Sequence, residues 1–125
     1  MAFTTSDAAA ILNAGRGTAY PAWTPFLCAF TADPTAAGLF TNELATGGYA
    51  RQSVTLSVPA TKSTNNTTQL TFTATAGTII THIGMADAVT AGSLRRYVAL
   101  GTAVTVGSSG QVTVAATTGL TDTFA

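Results

Sequence analysis

The sequence predicts a mainly β protein, an antiparallel β-sandwich or jelly-roll-like domain with one short N-terminal helix. Three observations predict this class. About seven short segments are rich in valine, isoleucine, threonine and tyrosine, residue types that fit a pleated, half-buried surface. Clusters of glycine, proline, asparagine, aspartate and serine separate these segments, as turns separate the strands of a sandwich. Only one segment, near the N-terminus, has the composition of a helix.

The helix candidate spans residues 5–14. The threonine, serine and aspartate at its start are capping residues, its alanines favour helix, and glycines follow its end. Its apolar stripe is predicted to be Ala8, Ile11 and Leu12. Prolines interrupt the segment that follows, so residues 1–25 are predicted to be a helix and a linker or arm. Residues 26–125 are then the β-sandwich domain.

A hairpin is predicted at the centre of this domain. Residues 78–86 and 94–100 have strand composition, and the small and turn-forming residues 87–93 connect them. Alternation in the second strand places Arg96 among apolar side chains. We expect this arginine to reach the strand margin, meet a carboxylate or face a neighbouring subunit, because an unpaired buried charge is costly.

The remaining strands are expected on both sides of this hairpin in the sequence. A run of six residues ends at the turn signal Asp33-Pro34, and a longer run has valines and leucines at alternate positions. The predicted strands are residues 26–31, 49–58, 69–75, 103–106 and 111–116. Residues 59–68 are predicted to be a polar loop, and residues 120–125 an edge strand or a tail.

Charged residues are scarce. They make up 8% of the chain, against roughly a quarter of an average soluble domain, and the formal net charge is zero. Nucleic-acid binding requires clustered positive charge, so this composition argues against it. About a fifth of the residues are threonine, which predicts strands with polar but uncharged outer faces. Since net charge keeps monomers apart, we interpret the chain as one that functions in an assembly.

No constellation in the sequence predicts catalysis, a metal or a cofactor. Cys28 is the only cysteine and lies in an apolar run, which favours a buried, inert thiol. His82 is the only histidine, and no partner for catalysis or metal binding is evident from its position in a strand. The carboxylates are spread along the chain, and no phosphate-binding loop occurs.

No apolar stretch is long enough to span a bilayer, and the N-terminus has no secretory pattern. We therefore expect no membrane partner and synthesis in a cytoplasm.

The arginines are the charged residues with the clearest potential as contact residues. Arg51 and the pair Arg95-Arg96 have two interpretations, which the sequence leaves open. They form salt bridges within the chain, to Glu43 or Asp87, or they contact another subunit, where arginine is enriched.

Two blocks of residues resemble a known family. The first contains TADP at 31–34, NEL at 42–44 and GGYARQ at 47–52. The second contains THIG at 81–84, DA at 87–88, Gly92, Leu94 and YVAL at 97–100. Their order and spacing resemble small virion structural proteins of tailed bacteriophages, a family of head decoration, minor capsid and tail-fibre-like proteins. The resemblance implies neither catalytic residues nor a cofactor.

From composition and resemblance together we expect a non-enzymatic decoration protein on the capsid surface of the virion. It would form a homotrimer and stabilise the lattice of the major capsid protein through many weak contacts. The N-terminal arm is predicted to reach another subunit, because its aromatic side chains need partners. The candidate interface residues are Phe3, Tyr20, Trp23, Tyr49, Arg51, Arg95 and Arg96.

The alternative is a tail-fibre or baseplate-associated module that recognises the host surface. Such a module requires an exposed pocket or an aromatic platform, for which Tyr49 and Tyr97 are the candidates.

Overall fold

The computed structural model describes residues 1–116 and 121–123. Within these ranges it contains one helix and nine strands. The helix α1 is Thr5–Ala14. The strands are β1 Ala2–Phe3, β2 Phe26–Phe30, β3 Gln52–Ser53, β4 Ser63–Asn65, β5 Leu70–Thr73, β6 Ile79–Ala86, β7 Leu94–Thr105, β8 Gln111–Val114 and β9 Thr121–Thr123.

The strands form three antiparallel sheets. The largest has five strands in the order β1-β7-β6-β2-β3, and two-stranded sheets are formed by β4 with β9 and by β5 with β8. Apolar side chains of β5 and β8 pack on one face of the five-stranded sheet, and this packing forms the main core. The predicted mainly β, antiparallel, sandwich-like fold with one short helix is confirmed.

Strand β2 lies inside the molecule and is covered on both faces. Leu27 and Ala29 point into the main core, whereas Cys28 and Phe30 belong to a second cluster on the opposite face. Because both faces of β2 are buried, its sequence is a continuous apolar run and does not alternate between apolar and polar residues.

The cysteine within β2 gives a first testable prediction. Burial raises the pKa of the Cys28 thiol to about 12, so the thiol stays neutral at pH 8 and cannot act as a nucleophile. We expect no reaction with a disulfide reagent at pH 8 in the folded protein, and stoichiometric reaction once guanidinium unfolds it. Rapid labelling of the native protein would show that β2 is accessible and contradict this burial.

The boundaries of α1 agree with the prediction, but its buried face does not. Thr4 caps the helix in place of the predicted residues 5–7, and its hydroxyl accepts a hydrogen bond from the Asp7 amide. Asp7 is fully buried, whereas Leu12 of the predicted apolar stripe is 73% exposed. The stripe prediction is wrong for Leu12, whereas Ala8 and Ile11 are half-buried. The most buried side chain of α1 is a carboxylate that packs against arginines of β7, an attraction that hydrophobic periodicity does not register.

Two strand predictions and one loop prediction need correction. The predicted long strand 49–58 is wrong: only Gln52–Ser53 pair with β2, and Val58 is 87% exposed. Side-chain bonds of Tyr49 and Arg51 hold the chain there in place of a strand ladder. The predicted loop 59–68 contains β4, which pairs with β9, and the predicted strand 103–106 is continuous with β7. The edge-strand alternative for residues 120–125 is confirmed for Thr121–Thr123; the rest of that segment lies outside the described residues.

The predicted central hairpin is formed by β6 and β7 and contains an irregularity that positions the arginines. Met85 pairs with Arg96 and Ala86 pairs with Leu94, so Arg95 is an extra residue in β7. Such a bulge redirects side chains. As a result, the neighbouring Arg95 and Arg96 both reach the same carboxylate.

Candidate functional site

The buried carboxylate of Asp7 is the centre of a first polar network. Arg95 Nη1 lies 3.5 Å from its Oδ1 atom, and Arg96 Nε lies 3.3 Å from its Oδ2 atom. Each arginine has a second carboxylate partner. Arg95 Nε is 3.0 Å from Asp87 Oδ2, and Arg96 Nη1 donates to Asp122 Oδ2. The network therefore ties α1 and β9 to β7.

The charge environment of Arg96 follows from this geometry. Burial alone lowers the pKa of its guanidinium, but the negative charges of Asp122 and Asp7 outweigh burial and raise the pKa above its ordinary value. Arg96 therefore stays charged. Among the three expectations for this residue, the carboxylate partner is confirmed.

Three aromatic side chains complete the first network. The Arg96 guanidinium carbon lies 4.8 Å from the centre of the Phe3 ring and 5.7 Å from that of Trp23. Tyr20 donates a hydrogen bond to Asp7 Oδ1, and Trp23 Nε1 donates to the Tyr20 hydroxyl over 3.0 Å. Burial and the bond to Asp7 raise the pKa of Tyr20. The Phe3 and Trp23 rings thus make cation–π contacts with the Arg96 guanidinium, and the Tyr20 hydroxyl binds its carboxylate partner Asp7.

A second network surrounds Arg51, which is buried. Its Nε and Nη2 atoms each lie 2.7 Å from an oxygen of Glu43, a bidentate pair. Its Nη1 donates to the carbonyl oxygens of Ala88 and Ala91, both at 2.8 Å. The hydrogen bonds to Glu43 raise the pKa of Arg51. This network therefore fixes the β6–β7 connection against the loop that carries Glu43.

Tyr49 is attached to the same carboxylate. Its hydroxyl donates to Glu43 Oε1 over 2.9 Å and accepts a hydrogen bond from the Ala29 amide over 3.1 Å. Burial is the main cause of its raised pKa. The ring of Tyr49 packs edge-on against Phe72 of the core, so this tyrosine is a structural anchor.

An open cleft of about 310 Å³ lies beside the second network. Glu43, Tyr49 and Arg51 line one part of it, and Val89 to Ala91 line another. The polar atoms of its tyrosine and arginine are largely engaged by the protein itself. The cleft thus matches the position predicted for a recognition pocket near Tyr49, but it presents mainly apolar and methyl groups.

The structure brings the seven candidate interface residues into these two networks. Five of them, Phe3, Tyr20, Trp23, Arg95 and Arg96, belong to the first, and Tyr49 and Arg51 belong to the second. The interpretation of the arginines as salt-bridge partners of Glu43 and Asp87 is confirmed. Contacts of these residues with another subunit, and an arm that reaches one, stay predictions.

Sequence reasoning missed Asp7 and Asp122 as members of the first network. In the sequence, Asp7 has the position of a helix cap, and Asp122 is one of several scattered carboxylates. The sequence did contain one signal: the alternation of β7 places Arg96 among apolar side chains, where its charge requires a carboxylate partner. No spacing in the sequence identifies which one, because the partners lie 89 and 26 residues away.

The two networks leave an outer surface with little charge. Seven of the ten charged side chains form ion pairs in these networks. The other three, Arg16, Asp33 and Lys62, are exposed. A surface with so few charges offers little electrostatic resistance to association with other chains.

Neither a metal site nor a membrane-spanning helix is found in the described part of the chain. No group of three or more histidine, cysteine, aspartate or glutamate side chains comes together there in a way that could hold a metal ion. His82 Nδ1 instead lies 2.9 Å from the hydroxyl of its neighbour Thr81. Helix α1 is not long and apolar enough to cross a membrane, and it is the one helix of the described residues.

The geometry describes a small antiparallel β protein whose charged side chains are mostly paired inside the fold. Comparison with protein families identifies the group to which it belongs. The chain belongs to the family described as Podophage GP4 fiber I protein gp80, whose family model matches residues 2–121. It is therefore a phage virion structural protein, as the sequence resemblance implied. No curated protein matches the chain.

Proposed function

We propose that this chain is a non-enzymatic structural subunit of the phage fibre or of the site where the fibre joins the particle. The family description supports the fibre position. The proposed mechanism rests on one observation. Seven charged side chains form ion pairs with one another inside the fold. The remaining surface is threonine-rich and apolar, so neighbouring chains can pack on it without burying unpaired charges.

The proposed role is structural and not host recognition by a tyrosine platform. Tyr49 is occupied by Glu43 and the Ala29 amide, and Tyr97 packs half-buried against the second apolar cluster. A sugar-binding platform needs exposed aromatic faces and polar groups that point to solvent. The Tyr49 hydroxyl is bonded within the fold and the Tyr97 ring is half-buried, which supports a scaffold role for the chain within the fibre.

The second candidate is a capsid decoration protein that binds the major capsid protein and stabilises its lattice. The same nearly uncharged surface supports it, because many weak contacts repeated over a lattice add through multivalency. Both candidate functions depend on the nearly uncharged surface of the chain, and they differ in where the chain lies on the particle. The expected homotrimer and the capsid partner stay predictions.

Locating the protein on intact virions separates the two candidates. We expect gold-labelled antibodies against this chain to mark the fibres or their attachment point in electron micrographs, with antibodies against the major capsid protein marking the head as a reference. Regularly spaced label over the head would instead support the decoration protein. Absence of the chain from purified particles would overturn both.

A further inference from the structure

The first strand and the helix are attached to the sandwich through polar groups. Together they form residues 2–14, which we call the β1–α1 segment. Its strand pairs with β7 at Ala2 and Phe3, and among the described elements α1 contacts only β1 and β7. The fully buried residue of α1 is Asp7, whereas Leu12 is exposed. No residue of the segment belongs to either apolar cluster of the described chain, so ionic and hydrogen bonds hold it in place.

The charges of the first network remain balanced without this segment. Arg95 is paired with Asp87, Arg96 is paired with Asp122, and all four residues lie outside the segment. Asp7 is the additional carboxylate and contacts both arginines. When the segment leaves, each arginine keeps one partner and the Asp7 carboxylate is hydrated by water. Its departure therefore leaves no buried charge unpaired, which is the most costly result of breaking an ion-pair network.

The place that the segment occupies on β7 is a carboxylate-binding site with specific requirements. Two guanidinium groups and the Tyr20 hydroxyl converge on Asp7. The buried Thr4 donates through its hydroxyl to the Leu94 carbonyl over 2.7 Å and through its amide to the Arg95 carbonyl over 3.0 Å. An occupant therefore needs a short strand, a threonine after it, and an aspartate three residues after the threonine. The β1–α1 segment of every copy of this chain meets these conditions, so specific groups select it.

The connection between the segment and the sandwich is exposed and makes only local bonds. Residues 15–19 are all exposed, and their hydrogen bonds go back to the end of α1. Fully extended, these residues span about 17 Å, which is enough to carry the segment to a touching neighbour. Beyond the connection, Trp23 packs against the main core and donates a hydrogen bond to Tyr20. The tyrosine of the site therefore stays in position when the segment moves.

We infer that in the assembled particle the site on β7 holds the β1–α1 segment of a neighbouring copy, whose Asp7 binds between Arg95 and Arg96 of the first. The contacts are those already formed within one chain, so the exchange changes only which chain supplies the segment. The neighbouring copy thereby completes the first network. This inference rests on the assembly role proposed above, and the two fail separately. Particle microscopy tests the location of the chain, whereas the exchange is tested on purified full-length protein.

Disulfide formation between two variants tests the exchange. The Thr5 amide donates to the Ala36 carbonyl over 2.8 Å, and both residues are exposed. Thr5→Cys and Ala36→Cys are refolded together and oxidised, so a disulfide between these two positions joins different chains. The control mixture is Leu12→Cys with Ala36→Cys, because Leu12 lies roughly 10 Å further along α1. We expect about tenfold or more linked dimer from the first mixture, since docking holds its two sulfurs at a millimolar effective concentration. Mass spectrometry identifies the linked peptides, and equal yields from the two mixtures would overturn the exchange.

A labelled peptide tests whether the site selects the Asp7 carboxylate. A fluorescent peptide of residues 2–14 should bind the full-length Asp7→Asn protein about tenfold or more tightly than the unsubstituted protein, whose own segment competes better. A second peptide with both Asp7→Asn and Asn13→Asp keeps the net charge and should bind the Asp7→Asn protein about tenfold or more weakly than the first. Fluorescence anisotropy measures these affinities, and circular dichroism checks that the variant is folded. Absence of binding, or equal binding of the two peptides, would contradict the inference.

Discussion

Replacement of Asp7 by asparagine is expected to lower the free energy of unfolding by about 3 kcal/mol. The side chain is fully buried and accepts from Arg95, Arg96 and Tyr20. The asparagine side chain keeps the shape but loses the charge, which leaves two guanidinium groups with reduced compensation. Asp87 and Asp122 remain as partners, so the expected loss is at the lower end of that for a broken buried ion pair. Urea unfolding followed by circular dichroism measures it.

Asp33→Asn is the matched control for this substitution. It makes the same change of charge at an exposed position, where the expected effect is within about 0.5 kcal/mol. A result for Asp7→Asn that equals the control would mean that the first network does not stabilise the fold. Reduced proteolytic protection of the N-terminal residues in Asp7→Asn would add support, because the network ties α1 to β7.

The second large effect is expected for Arg51→Met, at about 3–5 kcal/mol of lost stability. Methionine fills a similar volume but leaves the Glu43 carboxylate and the carbonyls of Ala88 and Ala91 without the guanidinium. The contact of the guanidinium carbon, 4.3 Å from the centre of the Phe40 ring, is lost as well. Because total stabilities of domains are about 5–15 kcal/mol, such a loss should be visible as a large fall in the unfolding midpoint.

Two further variants separate charge from packing at this site. Arg16→Met removes an exposed arginine and should change stability by less than about 0.5 kcal/mol. In the double variant Glu43→Gln with Arg51→Met, no uncompensated charge remains, so we expect it to be more stable than Arg51→Met alone. If the double variant lost the sum of both single effects, the unpaired carboxylate would not be the cause.

The fold was predictable where local pattern and environment agree. The alternation of β5 is preserved in its burial, with Leu70 and Phe72 inside and the threonines between them outside. The bounds of α1 follow from its composition and flanking residues. The long strand 49–58 was mispredicted because its alternating valines and leucines resemble a strand, whereas the side-chain bonds of Tyr49 and Arg51 determine its path.

The candidate site was predictable only in part. The sequence identified the arginines and the tyrosine, tryptophan and phenylalanine side chains of the networks, because these residue types are few and chemically distinctive in this chain. It identified the partners Glu43 and Asp87, which are eight residues or fewer from their arginines. It did not identify Asp7 and Asp122, since the fold alone brings segments so distant in sequence into contact.

The sequence by itself determined the fold class: strand-forming residues and turn residues already indicate a β-rich chain, and charged residues are scarce in it. The tertiary structure decided where those few charges lie. The bulge at Arg95 and the buried position of Asp7 direct them inward, because a charge that leaves water requires an opposite charge within hydrogen-bonding reach. The nearly uncharged exterior is thus a property of the fold, and composition alone could not reveal it.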